Sequence, residues 1–179
     1  MIIDEHKAIF IHIPKNAGTS IETYFANGSV RIQPSKHADI HEIKRKFKNS
    51  YNNYRKFTII RNPYDKMVSW YFYLKRNVGE NYNIIEFGDW IKDPSKLWHA
   101  NDPISFLNPQ YVWIDDTVEI IKFENLKKDI NKFFQKEIDL PITNKSNHEN
   151  YLEYYNQKSL DIIYKRYKKD FEKFNYKKL

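Results

Sequence analysis

A near-continuous apolar run from Ala8 to Ile13, closed by Pro14 and followed at once by Lys15-Asn16-Ala17-Gly18-Thr19-Ser20, narrows the folds open to this chain. Such a run reads as a strand buried on both faces, the situation of a parallel sheet covered by helices. The Gly18 region then opens a helix through about Ala26. The same strand–loop–helix order recurs: Lys56 to Ile60 is a second strand, and Asn62-Pro63 supplies a cap and a first-turn proline for a helix to about Arg76. Val118 to Phe123 is a third short strand, ahead of a helix from about Asn125 to Gln135. Strands alternating with helices predict a parallel sheet with right-handed crossovers, in a three-layer α/β domain.

Two further helices complete the outline. Asp39 and Glu42 resemble a capping box ahead of a helix to about Phe47, with Ile40, Ile43 and Phe47 on one face. A last helix, from about Ser159 to Phe174, lines up Leu160, Ile163, Tyr167, Phe171 and Phe174. Gly79 to Pro109, punctuated by three X-Pro steps, reads as an irregular insertion of the kind that often holds substrates. A chain of 179 residues suits one domain over 1–179, and its 41% hydrophobic content is enough for a core.

Composition excludes some chemistry. Without cysteine there is no disulfide framework, thiolate nucleophile or thiolate-bound metal, and cytoplasmic residence fits. No stretch approaches the roughly 18 apolar residues of a membrane span. The net charge of +7 favours an anionic ligand, while Lys44-Arg45-Lys46 and Lys165-Arg166-Tyr167-Lys168-Lys169 read as solvated helix faces. The aromatics fall at core spacing and do not interleave with a basic surface, which argues against nucleic acid. The histidines and carboxylates lack clustered ligand spacing, so no metal is expected.

The segment Ile11-His12-Ile13-Pro14-Lys15-Asn16-Ala17-Gly18-Thr19-Ser20 places a lysine, a glycine and two hydroxyls between a strand and a helix amino terminus. Outward-pointing amides and the positive end of the helix dipole suit that position to anions, and Lys15 adds a full charge. An ATP or GTP loop would read G-x-x-x-x-G-K-[ST], whereas here Lys15 precedes Gly18 and no first glycine is present. The string resembles instead the 5′-phosphosulfate loop of sulfotransferases that use 3′-phosphoadenosine 5′-phosphosulfate (PAPS), above all the branch acting on carbohydrate hydroxyls. The resemblance implies a P-loop-like fold in which Lys15 contacts the bridging and leaving oxygens. Backbone groups of Asn16, Ala17, Gly18 and Thr19, with the Thr19 and Ser20 hydroxyls, would hold the 5′-phosphate.

A second string, Phe57-Thr58-Ile59-Ile60-Arg61-Asn62-Pro63-Tyr64-Asp65-Lys66-Met67-Val68-Ser69, is similar to the family's 3′-phosphate motif. Arg61 offers a forked, permanently charged donor set and Ser69 a hydroxyl. Ile120-Ile121-Lys122-Phe123-Glu124-Asn125-Leu126 and Asp170-Phe171-Glu172-Lys173-Phe174-Asn175-Tyr176 resemble the family's late strand–helix and closing helix. Asn144-Lys145-Ser146-Asn147-His148 resembles, loosely, a late loop near the nucleotide.

Sulfuryl transfer to an alcohol needs a base as well as an electrophilic clamp. His37, in Ser35-Lys36-His37-Ala38, resembles the K-H-A-T segment of bacterial relatives, with Asp39 where threonine is usual, and is the chosen general base. His41 and Glu22 are its competitors, and His12, inside the strand, reads as a packed or loop-bracing residue. The expected reaction moves the sulfuryl group of PAPS to a glycan or small hydroxyl compound and releases adenosine 3′,5′-bisphosphate (PAP). The rival readings are a P-loop-type kinase and a non-catalytic module for PAP or another anion. Trp90, Trp98, Tyr82 and Phe106 of the insertion are candidates for stacking on sugar rings, with core packing the favoured alternative.

Overall fold

The computed structural model describes residues 1–26, 30–31, 36–77, 85–96, 104–143 and 149–179. The chain is α/β and forms two compact units. Met1–Arg61 with Gln110–Asn144 make the first, and Asn62–Pro109 with Lys145–Leu179 the second.

The first unit holds the sheet. Among the described residues its five strands are β1 (Ile2–Ile3), β2 (Ala8–Ile11), β3 (Val30–Arg31), β4 (Arg55–Ile60) and β5 (Val118–Lys122), in the order β3-β1-β2-β4-β5. β2 pairs parallel to β4 and β4 parallel to β5, with Ile11 opposite Thr58 and Ile60 opposite Lys122. The expectation of a parallel sheet therefore holds for these three strands only, since β1 runs antiparallel to both β2 and β3. The reason is the connection. Ile3 and Ala8 are joined by one 3₁₀ turn, Asp4–His6, and a left-handed Lys7 at φ 45°, which is too short for a crossover. A two-residue strand such as β1 carries no periodicity to read.

The helices of this unit are α1 (Gly18–Phe25), α2 (Ile40–Lys46), α3 (Lys48–Asn53) and, after β5, α6 (Leu126–Phe134). Asp39 caps α2 as its sequence suggests, its Oδ1 accepting from the Glu42 amide at 2.8 Å. One core cluster joins strand residues Ile3, Phe10, Phe57, Ile59 and Ile121 to Ile21 and Phe25 of α1 and Ile130 and Phe133 of α6. Phe57 is its hinge, with ring centroids of Phe10, Phe133 and Phe134 at 5.1, 4.6 and 5.5 Å. The alternation of β4 thus sends Phe57 and Ile59 to one face and Thr58 and Ile60 to the other.

The second unit contains α4 (Pro63–Asn77), the four-residue α5 (Phe87–Trp90) and α7 (Gln157–Phe174). Asn62 caps α4 through Tyr64 N–H at 3.0 Å, and Asn156 forms a reciprocal capping box with Ser159 on α7. The core is aromatic: Tyr64 meets Phe171 at 4.9 Å, and Tyr71 meets Phe87 and Trp90. α7 departs from helical angles at Tyr167, whose hydroxyl donates to Leu107 O at 2.9 Å. Trp90 is fully buried and spends its indole N–H on Pro94 O, while Phe106 packs edge-on to Trp70. Neither presents a face for stacking on a sugar. Trp98 and Tyr82 lie outside the described residues.

The Phe57 contacts set a stability test. Phe57→Ala should lower unfolding free energy by about 3–5 kcal/mol, read as a shifted urea midpoint at unchanged slope. A loss below about 1 kcal/mol would mean that the ring is not the hinge of this core.

Candidate active site

Parallel pairing of β2 with β4 brings the carboxyl ends of both strands to one edge of the sheet, where open α/β sheets bind ligands. From that edge issue the segment 12–20 and Arg61, both in the first unit.

The loop is shaped by its backbone. Lys15 (φ 68°) and Ala17 (φ 58°) are both left-handed, and Gly18 then starts α1. A left-handed residue followed by a right-handed one turns successive amides toward one side, and the first helical amides have no acceptor earlier in the helix. A backbone of this kind is suited to an anion.

Gly18 has a further reason to lack a side chain. A Cβ there would lie 1.9 Å from His12 Nε2, so the imidazole of His12 occupies the space a side chain would need. His12 is 4% exposed and cannot easily move aside, because its Nδ1 lies 2.7 Å from Glu22 Oε1. Glu22 also pairs with Lys36 Nζ at 2.8 Å. Burial keeps His12 below the ordinary histidine range, so its neutral ring donates from Nδ1. For Glu22, burial acts in the opposite direction, yet the His12 bond and the Lys36 charge outweigh it and bring the carboxyl down to about 2. Glu22 is an ionised brace for His12, and a carboxyl so acidic is a poor proton acceptor.

His37 sits on this brace. Its Nδ1 donates to His12 O at 3.0 Å and its ring lies 4.3 Å from the His12 ring. Bonding to a carbonyl fixes the neutral tautomer with the lone pair on Nε2. Burial above all, helped by the neighbouring His12 and Lys36, lowers its pKa to about 4. His41, by contrast, is exposed on α2 and lies near Asp115.

The remaining sequence-selected residues fall as follows. The Asn16 side chain turns inward, 1% exposed, and donates to Ile59 O and Gln110 Oε1, each at 2.7 Å. Thr19 lies in the first turn of α1, and the Ser20 hydroxyl is 3.0 Å from that of Thr143. Arg61 is 8% exposed; its guanidinium donates to Lys15 O at 3.1 Å and lies 4.2 Å from the Phe123 ring centroid. The arginine of the second string therefore also holds the first. Ser69 is buried in α4 of the second unit. The 144–148 string lies outside the described residues. Sequence reasoning missed Gln110 and Thr143; the signal for Gln110 was a polar residue directly before the apolar run Tyr111–Ile114.

Gly18→Ala should cost roughly 1–3 kcal/mol of stability, because the His12 ring must leave its Glu22 bond to make room. The double variant Gly18→Ala/His12→Ala should recover part of that loss in thermal unfolding. Simple addition of the two single effects would reject the packing account.

Among the described residues no helix is long and apolar enough to cross a membrane, and no group of three or more histidine, aspartate or glutamate side chains is placed to hold a metal. No curated protein and no solved structure matches the chain. A family model described as the sulfotransferase family matches residues 1–177, across the 12–20 and 57–69 strings and the closing helix. With nearly all of its length covered by that match, the chain belongs to the sulfotransferase family.

Proposed function

We infer that residues 1–179 work as one sulfotransferase domain whose donor is PAPS and whose acceptor is a hydroxyl of a glycan or small alcohol. The observation that carries this reading is the donor-rich loop at Lys15–Thr19, with Arg61 bonded to its Lys15 carbonyl and His37 seated beside it on the His12 carbonyl. A cationic side chain, helix-start amides and a permanently charged guanidinium are what a phosphosulfate and a second phosphate need. The donor set therefore fits PAPS, which supplies an activated sulfuryl group on a phosphate oxygen. The carbohydrate class of acceptor rests on the resemblance of the 12–20 string.

The chemistry follows from the residues. His37 Nε2 takes the acceptor proton as the acceptor oxygen forms its bond to sulfur. The bond from sulfur to the 5′-phosphate oxygen breaks, and its electron pair stays on that phosphate. Lys15 and the loop amides meet the charge that develops there. A histidine near pKa 4 is neutral before substrate arrives, and a nearby anionic nucleotide raises it toward the range where a general base works best. Arg61 and Ser69 are assigned to the 3′-phosphate, and Thr19 and Ser20 to the 5′-phosphate. Cytoplasmic residence belongs to the same reading.

Turnover with labelled PAPS over a panel of glycans and small alcohols is the direct test; PAP binding without transfer to any of them would support the non-catalytic reading. Lys15→Ala should lower kcat by ~10²-fold, or roughly 3 kcal/mol, with a smaller effect on PAP affinity. His37→Ala should lose about 10²–10⁴-fold in rate while PAP binding is nearly kept. In the ligand-free protein the His37 ring should titrate near 4 by NMR, and PAP should raise that midpoint. Glu22→Gln showing the His37 pattern while His37→Ala does not would reassign the base.

PAP against adenosine 5′-monophosphate separates the phosphate sites. Arg61→Ala should weaken PAP by roughly 10–150-fold, since a hydrogen bond to a charged group contributes about 1.5–3 kcal/mol. The monophosphate should weaken less, through the lost Lys15 contact alone. Ser69→Ala should weaken PAP modestly and leave the monophosphate unchanged. Equal weakening of both ligands by Arg61→Ala in calorimetry would remove Arg61 from the 3′-phosphate.

A further inference from the structure

We propose that Gln110 is a positioning residue that bolts the Lys15–Thr19 loop to the Arg61 end of β4, so that one buried amide sets the geometry of both anion-binding strings. Asn16, Arg61 and Gln110 all belong to the first unit. Gln110 is completely buried. Its Oε1 accepts from Arg61 N–H at 3.0 Å, and its Nε2 donates to Arg61 O at 2.8 Å. The side chain pairs with Arg61 as a neighbouring peptide would, through one bond to its N–H and one to its carbonyl. The same Oε1 accepts from Asn16 Nδ2 at 2.7 Å.

This arrangement has only one consistent orientation. A backbone N–H can only donate and a backbone carbonyl can only accept, so the two Arg61 bonds fix which end of the Gln110 amide is oxygen. With that oxygen facing Asn16, the Asn16 amide must present its nitrogen, which it also gives to Ile59 O. Asn16 Oδ1 is left buried without a hydrogen-bond partner among the described residues. Asn16 is therefore committed to holding the loop down, its buried side chain spent on Ile59 O and Gln110 Oε1. The chain leaves the first unit after Arg61 and re-enters it at Gln110, and these two residues are the ones hydrogen-bonded together.

The consequence is mechanical. Arg61 holds the loop from outside through Lys15 O, and Gln110 holds it from beneath through Asn16. Without Gln110, the Arg61 backbone loses both of these partners and Asn16 keeps only Ile59 O. Small displacements of positioning groups are expensive in rate, up to about 10²-fold for 1 Å. That PAP is the loop's ligand rests on the reading under Proposed function; the bolt itself does not.

The test uses Gln110→Met, which keeps the volume and removes every bond, and Asn16→Ala, which cuts the loop arm and leaves the Arg61 pairing. In the ligand-free protein, Gln110→Met should speed hydrogen exchange at the Arg61 amide by at least about tenfold and move the amide NMR signals of residues 15–19. Asn16→Ala should move those loop signals and spare Arg61. Calorimetry should then give a PAP Kd weaker by about 10–100-fold for Gln110→Met at full stoichiometry, together with a fall in kcat. An Arg61 amide as protected as in the parent, or a reduced stoichiometry at unchanged Kd, would overturn the proposal, the latter because Gln110 would then only support folding. If Gln110→Met does not fold, unchanged loop signals and unchanged PAP affinity in Asn16→Ala overturn it equally. Faster Arg61 exchange and moved loop signals in a protein whose parent binds no PAP would uphold the bolt and reject the nucleotide reading.

Discussion

The parallel register of β2 against β4 is the constraint on which the site depends. Setting Ile11 opposite Thr58 puts the two carboxyl ends at one edge, and the Thr58 hydroxyl reinforces that alignment by donating to Ile11 O at 2.8 Å. A one-residue slip would exchange the faces of β4, sending Phe57 and Ile59 out of the cluster with Phe10, Ile21 and Phe133. The hydrophobic core and the placement of Lys15 and Arg61 are thus decided by the same pairing. Core burial is what makes the register strict, and the strict register is what lets two distant strings meet.

Electrostatics around the loop follows from which groups are covered. Glu22 stays ionised because His12 and Lys36 both address it, and His12 stays neutral because it is enclosed. His37 then rests on a carbonyl and a neutral ring, in surroundings that disfavour its protonated form. A histidine lowered to about 4 from its ordinary 6.5 contributes stability that is present above about pH 6.5 and is lost as pH falls toward 4. Three residues singled out as rivals for one proton thus occupy three different environments. One is a brace, one a seated imidazole and one an exposed residue near Asp115.

Much of the plan was legible in the chain. The strand–loop–helix order at Ala8–Phe25 and at Arg55–Asn77, the Asp39 and Asn62 caps, and the late strand with its helix all rest on local periodicity and capping, and they stand within a residue or two of where the pattern put them. The insertion was harder. Trp90 and Phe106 suited either a ligand or the core, and they pack among Tyr71, Phe87 and Trp70, because an aromatic buries the same way in an irregular segment as in a regular one. β1 and the antiparallel edge escaped notice since two residues have no period.

What the sequence by itself determined was the set of local elements and the residue types at the two strand ends: a lysine, a glycine and hydroxyls after one strand, and an arginine after another. These are properties of neighbouring residues, and steric preference, helix capping and side-chain period act over that range. Only the tertiary structure decided what those residues bond to. It gave Gly18 its neighbour in the His12 ring, turned Asn16 inward, and brought Gln110 from the far side of a long excursion to pair with the Arg61 backbone. The physical reason is that a buried polar group must find a partner wherever the packed core puts one, and that location depends on the register of strands remote in sequence.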